Sequence, residues 1–275
     1  MTRSIAAELL VARKRASTWI LLTIWTLLAL VFAYVVPYVQ YLNGSGRAGL
    51  DDLLPQNLVE QLMAGFPFFG GVLALQLGVL AVGSEYGWGT LKTLFTQRPG
   101  RLQIFGAKLL GLAAALVPFV LVVYGLGALS SYVIAMREGA DASWPSAGLL
   151  LRGLGAGWLI LAVWAAFGVL LAVLSRGTSL AIGIGILYGL VIEGLTGALA
   201  SEVSLLDGIV EFFLRANGYS LVTALGVSTE AVGDSGPGSF SGPFVSGGQA
   251  LVVLASYLAI LVAVAAWVLR RRDVV

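Results

Sequence analysis

Two side chains that often carry enzyme chemistry are missing, because the sequence contains no cysteine and no histidine. Their absence excludes thiol nucleophiles, disulfide bonds, imidazole acid–base catalysis and most zinc sites. Charged residues are also scarce, at 11% of the chain, whereas a typical soluble domain contains about 25%. Hydrophobic residues make up 59% and the mean hydropathy is +0.94, so the composition is that of a membrane protein.

Motifs for nucleotide binding and for hydrolysis are absent as well. The sequence has no G-x-x-x-x-G-K-[ST] phosphate-binding loop and no G-x-S-x-G turn. We therefore expect no catalytic residue, metal ligand or cofactor site on this chain, and no nucleic-acid partner. If ATP drives its activity, ATP and Mg²⁺ must bind to a separate subunit.

Six apolar stretches reach the length of about 20 residues that a helix needs to cross a bilayer. The first could be mistaken for a signal peptide, but it exceeds the usual apolar core of about 7–15 residues, so we predict a retained span. The expected fold is an all-α, multi-pass membrane protein that forms a single transmembrane domain over 1–275. The predicted spans are 17–36, 61–83, 109–135, 153–174, 178–199 and 249–269.

The charges predict the orientation of these spans. Segments on one side hold 12 of the 16 Lys and Arg residues but only three of the 14 Asp and Glu residues. Because basic loops stay in the cytoplasm, both termini are predicted to be cytoplasmic. With five or seven spans, the basic and the acidic loops would no longer lie on opposite sides of the membrane. The basic segments are 1–16, 84–108, 175–177 and 270–275.

The regions before the first span and before the last span have helical patterns of their own. Residues 1–16 combine basic side chains with a modest apolar face, which predicts an interfacial helix; a short basic tail is the alternative. The outer loop 200–248 precedes span 6. Its first part, 205–215, is amphipathic and predicts a short helix that ends at Asn217-Gly218, followed by a second short helix over 219–225.

The 36 glycines include two pairs at helical spacing within predicted spans. Gly153 and Gly157 form one pair, and Gly185 and Gly189 form the other. Such pairs place small residues on one face of a helix and allow a neighbouring helix to approach closely. They predict a tightly packed bundle but do not identify a subunit contact.

The polar, basic segment 84–108 lies between the second and third predicted spans. Glu85 opens it, directly after an apolar run that has no charge. Apolar residues then recur at helical spacing from Trp88 to Phe95, and Pro99-Gly100 ends the pattern. This predicts a short helix along the cytoplasmic membrane face, while the alternative is an ordinary basic loop.

Residues of this segment resemble the E…GTLK…P..R…K signature of ABC-2-type transporter permeases, the membrane subunits of ABC exporters. In that family the segment forms a cytoplasmic coupling helix that docks onto a separate ATPase. The matching residues are Glu85, Gly89, Thr90, Leu91, Lys92, Pro99, Arg101 and Lys108. The residues for which we expect a coupling role are Glu85, Thr90, Leu91, Lys92, Leu94, Phe95, Arg98, Arg101, Lys108 and, in the turn before span 5, Arg176.

The resemblance implies a permease in a bacterial plasma membrane that binds two ATPase subunits and a second copy of itself or a similar permease. Its substrate would be partly apolar: a peptide, a drug, a lipid or a glycan carrier. It also implies that the short outer helices dip back into the membrane; the alternative is a helix lying flat on the outer surface. A membrane scaffold or assembly factor, or an ion-coupled carrier, is the alternative function.

Two carboxylates require separate interpretation. For Glu85 we expect either a salt bridge to Arg101 or Lys108, or a cap on the short helix that follows. Glu193 is the acid that lies well inside an apolar run, in the outer part of the fifth span. We expect it to reach water at the outer interface. The alternative is a polar group that lines the outer mouth of a translocation path.

Overall fold

A computed structural model describes residues 2–45, 49–89, 100–200, 207–229, 240 and 243–271 of the chain. Every regular element in these ranges is a helix. Six of the helices are long and apolar enough to cross a membrane, and we number them spans 1 to 6. They are Ala16–Leu42, Phe66–Gly87, Arg101–Glu138, Ala147–Ser175, Ser179–Thr196 and Gly247–Arg271. The predictions of an all-α fold and of six spans are confirmed.

Shorter helices precede and connect the spans. The N-terminal helix is Thr2–Lys14, as predicted from its charge pattern. The predicted coupling helix falls within 90–99, outside the described residues. We call Leu214–Thr223 the far-end helix. The remaining short helices are the 3-10 turns Asp51–Leu53 and Pro55–Asn57 and the α-helices Leu58–Met63 and Asp207–Val210.

Contacts between the spans define two ends of the bundle. At the N-terminal end, Lys108 of span 3 contacts Glu8 of the N-terminal helix and Glu85 of span 2. At the far end, the hydroxyl of Tyr38 in span 1 donates a 2.7 Å hydrogen bond to Glu138 of span 3. Successive spans therefore run in opposite directions, and the sixth returns the chain to the N-terminal end.

Three spans begin five or more residues from their predicted starts, and span 4 is one of them, because its helix starts at Ala147 instead of residue 153. Span 2 starts at Phe66 instead of residue 61, because a turn at Ala64-Gly65 separates it from the helix Leu58–Met63. Span 3 is a continuous 38-residue helix from Arg101 that passes through Pro118 without interruption. Arg101 and Lys108, which we assigned to the end of the coupling segment, therefore belong to the first turns of span 3.

The centre of the bundle is the contact between spans 2 and 4, the most buried of the six. A Cβ added to Gly78 would lie 2.0 Å from the carbonyl oxygen of Ala165, and one added to Gly168 would lie 2.2 Å from that of Leu75. The two backbones therefore touch directly, and no larger residue fits at either glycine without moving a helix.

The two predicted glycine pairs serve a different purpose, since they make room for side chains of the same chain. Gly157 faces the ring of Phe66, and Gly153 faces the hydroxyl of Tyr124. Gly185 faces Leu75, and Gly189 faces the ring of Trp164. Both pairs thus lie inside the bundle.

Three spans contain a π-helical segment, which interrupts the regular ladder of α-helical hydrogen bonds. In two of the segments, a side chain from elsewhere donates to a backbone carbonyl. Gln61 Nε2 donates to Ala33 O at 2.5 Å, and Arg215 Nη1 donates to Gly189 O at 3.3 Å. The segments are Val31–Val35, Phe66–Gly70 and Leu187–Ile192.

The connection between spans 5 and 6 corrects a second prediction. The predicted break at Asn217-Gly218 lies inside the far-end helix, and the chain leaves the helical conformation around Glu211–Phe213 instead. Asn217 stays helical because its amide Nδ2 donates to the carbonyls of Glu211 and Phe213, at 2.7 and 2.8 Å. Gly218 stays helical beside Pro67, where a Cβ would lie 3.1 Å from the proline Cβ.

The far-end helix is not an amphipathic helix lying flat on a surface. Nine successive residues, Leu214–Val222, are buried, so the helix is covered on all sides. It packs against the start of span 2, the start of span 6 and span 4. This burial brings Arg215, the last residue of the stretch 205–215 that the sequence predicts to be an amphipathic helix, into the interior of the protein.

Candidate functional site

Three charged side chains from three elements form an ion triad at the N-terminal end. Lys108 is 5% exposed, and its Nζ lies 2.5 Å from Glu85 Oε1 and 2.9 Å from Glu8 Oε2. The triad therefore joins span 3 to span 2 and to the N-terminal helix. Of the two partners predicted for Glu85, the structure pairs it with Lys108.

A glycine in span 3 allows the N-terminal helix to come close enough for this contact. A Cβ on Gly111, almost one turn beyond Lys108, would lie 2.7 Å from Glu8 Cβ. The helix turns Glu8 inward and leaves Leu9 and Leu10 39% and 53% exposed. An outward apolar face beside basic residues is typical of a helix in the membrane interface, whose apolar side enters the lipid.

Arg15 adds a second cation beside the triad. Its Nη1 donates a 2.7 Å hydrogen bond to the carbonyl of Leu80 in span 2, and its guanidinium lies 5.4 Å from the ring centroid of Trp88. It thereby fixes the start of span 1 to the end of span 2. A cleft at this end lies between the N-terminal helix and spans 1, 2 and 3. Its lining includes Glu8, Arg15, Ser17, Thr18, Leu77 and Lys108.

Of the other residues predicted to couple to an ATPase, the structure describes two, Arg101 and Arg176. Arg101 begins span 3 and is exposed at the N-terminal end, near the triad in sequence. Arg176 lies in the turn between spans 4 and 5. Its φ of 55° is a left-handed backbone conformation that residues other than glycine rarely adopt. Thr90, Leu91, Lys92, Leu94, Phe95 and Arg98 lie outside the described residues.

A second charged cluster lies at the far end, around Glu193 of span 5. Glu193 is 1% exposed, so the prediction that it reaches water is wrong. Its two carboxylate oxygens accept hydrogen bonds from the backbone amides of Leu214 and Arg215, at 2.8 and 2.9 Å. These are the first amides of the far-end helix, where a carboxylate also interacts favourably with the helix dipole.

Arg215 completes this far-end cluster. It is 3% exposed, it donates to the carbonyl of Gly189, and its guanidinium lies 5.0 Å from the ring centroid of Phe68 and 5.7 Å from that of Tyr219. Gly189 and Phe68 belong to the π segments of spans 5 and 2. The cluster therefore connects the far-end helix to both spans.

Sequence reasoning missed two of these residues, Glu8 and Arg215. Glu8 carries a weak signal, because it is the one acid in the basic segment 1–16. Arg215 carries a misleading signal, since its spacing with Asp207 and Glu211 matches a solvated helix face. The helix break around Glu211–Phe213 separates it from them.

The six apolar spans and the charges buried between them define a multi-pass α-helical membrane protein. The chain belongs to the family DUF2705, proteins of unknown function, whose family model matches residues 17–275. The match begins at span 1 and leaves out the N-terminal helix. No curated protein matches the sequence.

Proposed function

We propose that this chain is the membrane subunit of an ATP-driven exporter of the ABC-2 type. The resemblance of segment 84–108 and the six spans support this assignment. The observation that carries it is the ion pair between Glu85 and Lys108. These residues lie on either side of the segment 90–99, and their pairing joins the end of span 2 to the start of span 3, the two spans between which the predicted coupling helix lies in the sequence.

A rigid connection of this kind suits the transmission of force. An ATPase that pushes on the coupling helix would act at once on span 2, span 3 and the N-terminal helix, because the triad links all three. ATP and Mg²⁺ would bind to two such ATPase subunits. The substrate, a partly apolar peptide, drug, lipid or glycan carrier, would pass between this chain and a second copy or a similar permease.

The proposal includes an orientation. The N-terminal end faces the cytoplasm of a bacterial cell, because the segments at this end hold 12 of the 16 Lys and Arg residues. The far-end cluster around Glu193 then lies at the outer mouth of the translocation path in the plasma membrane. The coupling residues Arg101 and Arg176 face the ATPase.

Co-purification with the ATPase tests the proposal. The tagged chain is expressed with an ATPase encoded beside it that carries a Walker A motif, either unchanged or with Thr90→Asp and Phe95→Asp. We expect the unchanged chain to retain the ATPase in stoichiometric amount. The variant should lose it, because two carboxylates replace an apolar and a neutral side chain at the docking surface.

A matched control places two new carboxylates at the far end instead. Ala142→Asp and Ala147→Asp change exposed residues, and Ala147 opens span 4, where a carboxylate is favourable. This variant should retain the ATPase fully. If the unchanged chain retains no ATPase with or without nucleotide, the exporter assignment fails, and a membrane scaffold or an ion-coupled carrier replaces it.

A further inference from the structure

The cleft at the N-terminal end has the size and the lining of a site for an amphiphilic molecule. It lies between the N-terminal helix and spans 1, 2 and 3, and it encloses about 420 Å³ of space that is partly open to the surroundings. Sites for small molecules typically measure about 300–1,000 Å³. Its lining contains both charged and apolar side chains, and these occupy different depths of the bundle.

The directions of spans 2 and 3 place the apolar part of the cleft deeper than the charged part. On span 3, Ala115 lies seven residues beyond Lys108, which corresponds to about 10 Å along an α-helix. Span 2 runs the opposite way, and on it Leu77 lies three residues before Leu80, whose carbonyl accepts from Arg15. The deep part of the lining is therefore apolar and consists of Leu77, Leu112 and Ala115.

The charges around the shallow part favour an anion. The ion triad carries one net negative charge, which the guanidinium of Arg15 offsets. Arg13 and Lys14, exposed at the end of the N-terminal helix, add two positive charges. Arg15 has five N–H donors, and among the described residues it forms one hydrogen bond, to the carbonyl of Leu80. Donors of a cation that lines the cleft therefore remain for a ligand.

The surroundings of the cleft favour a lipid over a dissolved anion. Val11 in its lining is 42% exposed, and Trp19 and Ile20 at the start of span 1 are 54% and 57% exposed. The indole Nε1 of Trp19 donates to the carbonyl of Arg13 at 2.7 Å, which holds the ring beside the start of the span. Because tryptophan concentrates at the level of lipid headgroups, the shallow part lies at headgroup depth and the deep part at the depth of acyl chains.

We propose that this cleft binds one anionic phospholipid. Its phosphate accepts hydrogen bonds from Arg15 and from the hydroxyls of Ser17 and Thr18, which line the shallow part, and an acyl chain lies against the deep apolar lining. The bound lipid then contacts the N-terminal helix and three spans at once. This site requires no ATPase, so it stands or fails independently of the exporter assignment.

Native mass spectrometry of the full chain in detergent measures this binding. The protein is titrated with phosphatidylglycerol or with phosphatidylcholine of the same acyl chains, so that the two ligands differ in headgroup charge. We expect the first phosphatidylglycerol to bind about tenfold more tightly or better. Glycerol phosphate, which has the anionic headgroup without acyl chains, should not displace it at equal concentration. If it does, the ligand is a dissolved anion and the lipid assignment fails.

Two pairs of variants test the two parts of the cleft. Arg15→Met removes the cation of the shallow part, whereas Arg270→Met removes an exposed cation at the same end of the bundle, on span 6 and outside the lining. Ala115→Phe fills the deep part, whereas Ala114→Phe places the same ring on the adjacent exposed position of span 3. We expect Arg15→Met and Ala115→Phe to weaken phosphatidylglycerol binding by about tenfold. The two controls should bind like the unchanged protein.

Crosslinking to the unchanged protein locates the lipid even if a variant does not fold. A phosphatidylglycerol with a photoreactive group in its acyl chain should attach to 77–81 and 111–115, which line the cleft. Attachment to the exposed faces of spans 5 and 6 alone would overturn the proposal, because the lipid would then belong to the general lipid annulus. Equal affinity for both phospholipids would also overturn it, as would unchanged binding in folded Arg15→Met and Ala115→Phe.

Discussion

At the scale of single residues, Lys108 compensates two carboxylates at once while almost fully buried. Replacing it by methionine keeps the length of the side chain and removes the cation that lies between Glu8 and Glu85. Removal of one partner from a buried ion pair costs about 3–5 kcal/mol, so we expect Lys108→Met to reduce the free energy of unfolding by that order. Thermal unfolding in detergent or nanodiscs measures it.

The matched control removes the other charges of the triad as well. Glu8→Gln and Glu85→Gln combined with Lys108→Met remove all three charges of the triad, and fully neutral replacements of buried ion clusters are often tolerated. The triple variant should therefore recover most of the stability that Lys108→Met loses. Equal loss in both variants would show that the triad acts through packing and not through its charges.

Glu60, on the helix Leu58–Met63, gives a prediction about pH. Its carboxylate contacts the turn at Gly226, where a Cβ would lie 2.5 Å from Oε1. Burial, and to a lesser degree the charge of Asp52, raises the pKa of Glu60 above its ordinary value. The folded state therefore holds this proton more tightly than the unfolded state, and stability falls as pH rises from the unfolded pKa through the folded one.

We expect Glu60→Gln to remove this dependence. The variant should be more stable than the unchanged protein at about pH 7, and the difference should vanish below about pH 4, where Glu60 is protonated in both states. Melting temperatures of the two proteins across this range measure the effect. A difference that is constant with pH would contradict it, because it would then arise from packing instead of ionisation.

At the scale of elements, the contact between spans 2 and 4 makes the most specific demand on sequence. Gly168→Ala would drive a methyl group into the carbonyl of Leu75, 2.2 Å from the ideal Cβ position. Because that atom is backbone, a span must shift, and overpacking of this kind costs about 1–3 kcal/mol. We expect the melting temperature to fall and the yield of folded protein to drop.

Gly155→Ala is the control on the same span. Nothing lies within 4 Å of its Cβ position, so the substitution gains the higher helix propensity of alanine, up to about 1 kcal/mol. Gly155→Ala should therefore stabilise the protein or leave it unchanged. If both substitutions lowered the melting temperature equally, the loss would come from the helix itself and not from the contact between spans.

The elements also show where sequence patterns are sufficient. Each span is a long run of apolar residues, and that signal is strong enough to predict all six. The start of span 2 was misplaced because 61–65 is nearly as apolar as the residues that follow, and packing places the turn at Ala64-Gly65. The far-end helix was cut at Asn217-Gly218 because local propensity opposes a helix there, whereas contacts with Pro67 and neighbouring carbonyls favour one.

At the scale of the whole molecule, the pairing of charges depends on which elements meet. The sequence offers two cations, Arg101 and Lys108, as salt-bridge partners of Glu85, because the three residues lie at the same end of neighbouring spans. Glu8 is separated from Lys108 by 100 positions, so its role depends on how the N-terminal helix folds back. The burial of Arg215 depends equally on the contacts between the far-end helix and spans 2 and 5.

The distribution of charge between the two ends predicts how the molecule lies in the cell membrane. Basic residues concentrate at the N-terminal end, and such segments stay in the cytoplasm. Single cysteines at the exposed positions Ala142 and Gly148 of the far end should react with an impermeant maleimide on intact cells. Cysteines at the exposed positions Gly100 and Gln103 of the N-terminal end should react only after the cells are permeabilised.

These four substitutions leave every charge in place, so they do not disturb the signal that sets the orientation. Ala172→Cys, buried in span 4, serves as the negative control and should remain unlabelled under both conditions. Labelling of Gly100→Cys and Gln103→Cys on intact cells would show that the orientation in the membrane is the opposite of the predicted one. Docking of a cytoplasmic ATPase onto segment 84–108 would then be impossible.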